Sequence, residues 1–258
     1  MAIARRKYTN IDFRTEPLTP VFADVTNAVA TAADNQVDYT LVGGKVLFDW
    51  IQTGANAAIM PVIRTAAPFG WAFPLDADST DSIEIGEGRL VTGNVPYKSF
   101  TIGTDDAFFI RMQASVLGNI DNVVVAMCGF RTSAAQADVT SLATVGSAYN
   151  DTVCLGVGTT AGALRTVTTD DTTSVATTLA TTGWTVAGTA TTGMVFRVNI
   201  SGAGAATYLI DAAADANAVA FTLDNATVVV PCIHLVIANG TGAQGSPVVV
   251  QEYECGYQ

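Results

Sequence analysis

Charged side chains are scarce in this chain of 258 residues, since Asp, Glu, Lys and Arg together make up 14% of it. Soluble globular proteins usually carry about 25%. The balance is acidic, with 12 basic and 23 acidic residues and a formal net charge of −11 at pH 7. Proteins that bind nucleic acid need a basic surface to neutralise phosphates. The composition argues against nucleic acid as a partner and favours a protein that buries surface against neighbouring chains.

Histidine is almost absent, and cysteine lacks the spacing of a metal site. His234 is the one histidine, and its immediate neighbours are apolar. A serine protease triad needs a histidine with polar partners, so a core histidine with satisfied hydrogen bonds is the favoured interpretation. We expect buried free thiols in a protein made in a reducing cytosol, and no zinc site. The cysteines are Cys128, Cys154, Cys232 and Cys255.

Long apolar runs are also missing. None approaches the roughly 20 residues that a membrane-spanning helix needs. The first ten residues, Met1–Asn10, are polar and basic and have no apolar segment behind them. A secretory signal requires such a segment. We therefore expect no membrane partner and synthesis in the cytoplasm.

Acidic pairs with catalytic spacing are few. Glu84 and Glu87 are three residues apart and would point to opposite sides of a strand. Glu252 and Glu254 would share one face, as the two acids of a β-sandwich glycosidase must, but an exposed edge face is the favoured interpretation. The stretch Asp76–Asp81 has calcium-type ligands without calcium-loop spacing, so a solvated turn is favoured. We expect that the protein is not an enzyme and that it has no catalytic residue, no cofactor and no metal site.

What the sequence does contain is two-residue alternation in short apolar segments separated by turn residues. Phe109–Val116 and Met194–Ile200 alternate apolar and polar residues, and a turn at Gly202–Gly204 follows the second. This pattern is typical of strands with one buried face. Val123–Phe130 and Val228–Ile237 are continuously apolar, which predicts central strands covered on both faces. The pattern predicts an all-β antiparallel sandwich.

The first 45 residues differ from the rest. Pro17 and Pro20 interrupt any helix there, although a short helix around Val25–Ala33 is compatible with the composition. We expect an extended N-terminal arm over residues 1–45 and one β-sandwich domain over residues 46–258. A basic arm on an acidic body suggests contact with an acidic neighbouring subunit, and a solvated tail is the alternative. The basic residues of this arm are Arg5, Arg6, Lys7 and Arg14.

Aromatic residues provide a second class of candidate interaction sites. Phe69, Trp71 and Phe73 alternate, so they would share one face of a strand. A core position is favoured for them, and stacking on sugar rings is the alternative. If the protein binds carbohydrate, we expect Trp184 or Tyr149 to serve as the stacking residue on a concave face.

Three stretches resemble known jelly-roll proteins. The segment Phe196–Gly202 with Thr207–Asp211 resembles the back-sheet hairpin of concanavalin-like and laminin-G-like jelly rolls. The closing segment Val248–Gln258 resembles the last strand of tailed-bacteriophage virion proteins with this fold, and Asp105–Met112 fits the same plan. The resemblance implies an antiparallel jelly-roll β-sandwich of the concanavalin-like type, preceded by the arm, and a virion component without catalytic residues.

These observations give a leading hypothesis and two rivals. The leading one is a capsid decoration or cement protein of a bacteriophage, a homo-oligomer that contacts a major capsid protein or another virion protein. It would be made in the cytoplasm of the bacterial host and located in the virion. The first rival is a carbohydrate-binding adhesin, or a receptor-binding module of a tail or fibre, whose partner is a surface glycan. The second is a β-sandwich glycosidase.

Overall fold

The computed structural model describes residues 8–15, 18–23, 36–42, 46–53, 62–64, 67–73, 81–87, 98–116, 123–133, 139, 141–158, 162–171, 173–180, 193–237 and 248–258. Strands dominate these residues. The elements are β1 (Thr9–Asp12), β2 (Leu18–Ala23), β3 (Gln36–Val42), β4 (Val46–Thr53), β5 (Val62–Arg64), β6 (Gly70–Phe73), β7 (Asp81–Glu87), β8 (Phe100–Thr101), β9 (Phe108–Val116), β10 (Val123–Thr132), α1 (Leu142–Ser147), β11 (Thr152–Val157), β12 (Leu164–Asp170), β13 (Thr173–Thr178), β14 (Met194–Ile200), β15 (Ala205–Ile210), β16 (Ala213–Ala214), β17 (Phe221–Thr222), β18 (Val228–Ile237) and β19 (Val248–Tyr257).

The strands form two antiparallel sheets. Sheet I has the order β16–β15–β14–β9–β19–β6–β5, with β1 also paired to β19 and β17 to β15. Sheet II has the order β13–β12–β11–β10–β18–β7–β4–β3–β2, with β8 also paired to β18. Strands that are neighbours in each sheet are often distant in sequence, as in a jelly roll. The expected fold class, an all-β antiparallel jelly-roll sandwich, is confirmed.

Aromatic residues fill the space between the sheets. The rings of Phe100 and Phe108 stack with centroids 4.3 Å apart, and Phe130 packs edge-on against Phe108 at 4.9 Å. All three side chains are buried. Large aromatic side chains contribute strongly to a core because each buries 150–250 Å². On β9 the alternation holds from Ile110 to Gln113, since Ile110 and Met112 are buried while Arg111 is partly exposed, but Ser115 was expected on the exposed face and is buried.

Sheet II is covered on both faces at its centre. On the inner face, residues of β10 and β18 join the core between the sheets. On the outer face, Val125, Met127 and Val236 pack against Val139 and Val145 of the segment that contains α1. At the centre of the sheet the two strands therefore have no solvent-exposed face. This confirms the expectation, drawn from their continuous apolar sequences, of central strands covered on both faces.

The covering helix α1 is short and begins with a capping box. The Ser141 hydroxyl accepts a hydrogen bond from the Thr144 backbone N–H at 3.2 Å, and the Thr144 hydroxyl accepts one from the Ser141 N–H at 2.8 Å. The two bonds satisfy donors that a helix start leaves unpaired. A Cβ on Gly146 would overlap the Ser174 hydroxyl of β13, so glycine permits the helix to lie against the sheet. In the part of the chain described above, no helix has the length and apolarity needed to cross a membrane.

The described parts of residues 1–45 are extended and hydrogen-bonded into the sheets. β1 pairs with β19 from Thr9 opposite Cys255 to Asp12 opposite Glu252. β2 pairs with β3, and β3 with β4, at one side of sheet II. The position of the possible helix around Val25–Ala33 lies outside the described residues. The division into an arm over 1–45 and a domain over 46–258 stays a prediction.

The burial of Phe13 offers a test of that division. Phe13 is 1% exposed and its ring centroid lies 4.9 Å from that of Trp71. Phe13→Ala should lower the free energy of unfolding by about 3–5 kcal/mol, the usual cost of removing a buried phenylalanine. Urea unfolding followed by tryptophan fluorescence measures it. Tyr8 is exposed, so Tyr8→Ala should change the free energy of unfolding by less than about 0.5 kcal/mol. Equal stability of wild type and Phe13→Ala would show that the arm folds apart from the sandwich.

Candidate functional site

A cleft opens where the start of β1, the turn before β9 and the end of β19 meet. Its volume is about 1000 Å³. The antiparallel pairing of β19 with both β1 and β9 brings these three segments together. The lining residues are Tyr8, Thr104, Asp105, Asp106, Ala107, Tyr257 and Gln258.

Asp105 fixes the wall of the cleft. One of its carboxylate oxygens accepts a hydrogen bond from the Thr101 backbone N–H at 2.7 Å, and the other accepts one from the Tyr257 hydroxyl. The turn preceding it needs Gly103, which has a φ of 79° and lies against the Asn225 side chain. These contacts hold the loop in place, so the cleft wall is preformed.

Tyr8 supplies an exposed aromatic surface at the cleft. Its side chain is 52% exposed, and its ring centroid is 6.4 Å from that of Phe109. The guanidinium carbon of Arg197 lies 4.0 Å from the centre of the Phe109 ring, so the ring beneath Tyr8 is itself held in place. Asp106, which lines the same cleft, is exposed. An open ring next to a carboxylate can bind a ligand that has both an apolar face and hydroxyl groups.

The electrostatics of the cleft keep Tyr257 protonated. Partial burial and the hydrogen bond to the Asp105 carboxylate raise the pKa of Tyr257 to about 12, and the negative charges of Asp105 and Asp106 act in the same direction. The phenol therefore stays a neutral hydrogen-bond donor throughout the physiological pH range.

The residues expected to contact a neighbouring subunit are only partly described. Arg5, Arg6 and Lys7 lie outside the described residues, as does Trp184, the other residue expected to stack on a sugar. Arg14 makes ion pairs within its own chain, with Asp12 at 2.7 Å and with Glu252. The hydrogen bond to the Arg14 guanidinium lowers the pKa of Asp12. A role for these basic residues in contacts between subunits stays a prediction.

The acidic pair of β19 occupies a different environment from the one expected. An exposed edge was the favoured position, but β19 is a central strand between β9 and β6, so that expectation was wrong. Glu252 is bound by Arg14 and by Arg111, the latter at 2.7 Å, and Glu254 accepts a hydrogen bond from Asn10 at 3.2 Å. Both carboxylates connect β19 to its neighbouring strands.

Tyr149, one of the two residues expected to stack on a sugar, is buried in the turn that follows α1 and cannot do so. Its hydroxyl donates to Glu84, and its ring centre lies 4.3 Å from the guanidinium carbon of Arg131. Arg131 also binds Glu84 at 2.5 Å, and both charged side chains are fully buried. Burying this pair is tolerated because each charge is matched by the other and by hydrogen bonds.

His234 and two cysteines lie beside this ion pair. The burial of His234 is confirmed, but neither ring nitrogen has a hydrogen bond of ordinary geometry. Burial opposes ionisation of Cys232, but the hydrogen bond from the Cys154 thiol and the neighbouring His234 together outweigh it and lower the pKa of Cys232. The same bond raises the pKa of Cys154. All four cysteines are free and buried, which confirms the expected state of the thiols.

The aromatic row and the acidic turn have mixed outcomes. Trp71 is buried in the core as expected, whereas Phe69 precedes the strand and is 46% exposed. The side chain of Phe73 and residues 76–80 of the possible calcium turn lie outside the described residues. Tyr8 and Asp106 were missed as site residues. Only the pairing of β1 with β19 brings them together, and no spacing along the chain indicates it.

Comparisons with known proteins give likenesses in structure only. No family model matches the chain, and no curated protein matches its sequence. The carbohydrate recognition domain of Emp47p is 8% identical, with a TM-score of 0.49, over 81% of this chain and 88% of that one. An alginate lyase from Pseudomonas aeruginosa is 12% identical, with a TM-score of 0.48, over 78% of this chain and 88% of that one. The botulinum neurotoxin serotype D ligand-binding domain, solved with N-acetylneuraminic acid, is 10% identical, with a TM-score of 0.43, over 96% and 48%.

The hydrogen bond between Tyr257 and Asp105 predicts a measurable titration. Because the folded pKa of about 12 exceeds the ordinary value of 10.0, the fold favours the neutral phenol. This contribution to stability is present below pH 10 and is lost as the pH rises through 12. Asp105→Asn should move the titration of Tyr257 toward 10. The measurement is the phenolate absorbance of each protein minus that of its Tyr257→Phe derivative.

Asp224→Asn, an exposed substitution outside the cleft, serves as the control and should leave the titration of Tyr257 in place. An unchanged midpoint in Asp105→Asn would mean that the two side chains do not interact in solution.

Proposed function

We propose that this chain is a non-catalytic carbohydrate-binding module whose glycan site is the cleft between Tyr8 and Asp106. The observation that carries the proposal is an exposed aromatic ring beside an exposed carboxylate in a preformed cleft of about 1000 Å³. Known small-molecule sites occupy roughly 300–1,000 Å³ and combine an apolar wall with a few fixed polar groups. The proposal rests on this cleft and not on the similar structures.

The chemistry of a sugar fits these groups. One face of a pyranose ring presents C–H groups, which can pack on the Tyr8 ring. The ring hydroxyls can donate to the Asp106 carboxylate, while Thr104 both donates and accepts. Asp105 is already bound to Tyr257 and Thr101, so it serves to hold the wall. The acidic cleft favours neutral or cationic sugars over sialylated or sulfated ones, because like charges repel.

A glycan array probed with the full chain should identify neutral glycans, and calorimetry with the best of them gives the affinity. Tyr8→Ala should then weaken binding by about tenfold, since an aromatic contact contributes about 0.5–1.5 kcal/mol beyond the area that it buries. Asp106→Asn should weaken binding by a similar factor through the loss of a charged acceptor.

Phe69→Ala is the matched control, because Phe69 is also an exposed aromatic residue but does not line the cleft. It should leave the affinity unchanged. Absence of any reproducible glycan, or equal weakening by Tyr8→Ala and Phe69→Ala, would rule out the cleft as the binding site.

A second candidate function is structural, and one observation favours it. Among the described strands, β13 pairs only with β12, so it forms an edge of sheet II. Its sequence has no charged residue and no proline, and Val175 is 49% exposed. Natural edge strands usually carry charge or proline to prevent pairing with another chain. An unguarded edge favours pairing with a second copy of this chain.

The hypothesis of a bacteriophage decoration or cement protein belongs to this second candidate. Such a protein would be a homo-oligomer in a virion and would contact a major capsid protein, with Arg5, Arg6, Lys7 and Arg14 placed against a neighbouring subunit. The comparisons give no support to a virion origin. The β13 edge supports only the coarser idea that copies of the chain associate.

Replacing Val175 by lysine tests the structural candidate. If β13 pairs with a second copy, Val175→Lys should convert an oligomer into a monomer, because a charge on the edge strand disfavours pairing. Light scattering after size-exclusion chromatography gives the mass. Val219→Lys is the control, since Val219 is 53% exposed but lies outside every strand. A wild-type chain that is already monomeric at high concentration would contradict this function.

A further inference from the structure

Three metal-ligating side chains converge on the outer face of sheet II, away from the cleft. They are Cys154 of β11 and Cys232 and His234 of β18. Their two sulfur atoms and one ring nitrogen all lie within 4.8 Å of one another, and all three side chains are fully buried.

The register of the sheet explains how residues so distant in sequence meet. Gly129 of β10 is opposite Cys154 on one side and opposite Cys232 on the other. A Cβ at Gly129 would lie 2.7 Å from the Cys154 sulfur and would also overlap the Val153 carbonyl oxygen. Glycine therefore leaves a gap in the middle strand, and the two thiols meet across it. His234 follows Cys232 by two residues and so shares its face.

The backbone geometry does not allow a disulfide between Cys154 and Cys232. β11 and β18 flank β10, so their backbones are separated by two strand spacings, or about 9.5 Å. A disulfide requires Cα atoms within about 6.8 Å. The sulfur atoms can approach each other over Gly129, but their backbones are too far apart to be joined by an S–S bond. An ion between the sulfurs meets no such restriction.

His234 gives an independent indication of a missing ligand. It is completely buried, and neither of its ring nitrogens has a hydrogen bond of ordinary geometry. Buried polar atoms are almost always paired, because leaving one unpaired costs about 1–3 kcal/mol. A metal ion bound to one nitrogen would remove part of this cost.

We propose that Cys154, Cys232 and His234 bind a structural Zn²⁺ ion under helix α1. Two thiolates and an imidazole form a ligand set typical of zinc. In tetrahedral coordination the ligand atoms are separated by roughly 3.5–3.8 Å, so the present triangle has to contract by at most about 1.3 Å. Binding replaces two S–H bonds with two Zn–S bonds and releases two protons to solvent.

Glu84 completes the site. Its Oε2 lies 4.0 Å from His234 Nδ1, while Oε1 is held by Arg131. Oε2 also accepts a hydrogen bond from the Tyr149 hydroxyl, so a side-chain rotation that gives up this bond would bring Oε2 to the fourth position and leave Oε1 on the guanidinium. The charges then balance, because Zn²⁺ and Arg131 offset two thiolates and one carboxylate. A neutral assembly is the arrangement that burial favours.

The location implies a structural role for the ion. It would connect β11 to β18 across β10, and the cover formed by α1 and Tyr149 would exclude water from it. Catalytic zinc sites keep one position open to water or substrate, whereas structural sites are closed. The ion would enter as the chain folds, as in other structural zinc sites.

The test uses the full chain, refolded from denaturant with Zn²⁺ or with chelator. We expect about one zinc per chain by mass spectrometry after removal of loose metal. Refolding with Co²⁺ should give a thiolate-to-cobalt charge-transfer band and the strong visible bands of tetrahedral cobalt. Cys232→Ala should weaken metal binding by more than about 100-fold, because even losing an outer contact of a zinc ligand costs roughly 10–100-fold.

Cys128→Ala is the matched control, because Cys128 is equally buried but lies on the inner face of β10. It should retain zinc and the cobalt spectrum. If Cys232→Ala fails to fold, the cobalt spectrum of the wild type decides alone. Wild-type protein without stoichiometric zinc and without the charge-transfer band would overturn the proposal, as would an unchanged spectrum in folded Cys232→Ala.

Discussion

The burial of both faces of β10 and β18 is the constraint on which the rest of this structure depends. Because neither face of these strands is exposed to solvent, other parts of the chain must cover both faces of sheet II at its centre. Sheet I covers the inner face with the aromatic core, and the segment with α1 covers the outer one. The outer cover is what removes water from the Arg131–Glu84 pair and from His234. The dry environment of that polar cluster is therefore a result of strand placement.

Much of the fold could be predicted from local sequence. Alternation marked β9 and β14, and continuous apolar runs marked β10 and β18, because side-chain direction in a strand repeats every two residues. The buried state of the cysteines followed from their apolar neighbours. The short helix α1 could not be foreseen, since six residues carry too little periodicity to stand out from a loop.

The candidate sites were beyond local reasoning because they depend on register between distant strands. Glu84 and Arg131 are 47 residues apart in sequence, yet they share one buried contact. The role of Gly129 depends on the register that places Cys154 and Cys232 on either side of it. Tyr149 was expected at a surface, but α1 and its following turn place it inside. Strand pairing decides the first two positions and the packing of the α1 segment decides the third, and residue type alone predicts none of them.

The outer cover has a consequence for how the protein opens. Lifting α1 away would expose an ion pair to partial hydration while removing the Tyr149 hydroxyl from Glu84. A helix of six residues has little stability by itself. We therefore expect the backbone amides of α1 to exchange with solvent only when the contacts of the Arg131–Glu84 pair are also disturbed. Helix and central strands should behave as one cooperative unit, whereas the edge strand β13, with its exposed side chains, belongs to the least protected part of the sheet.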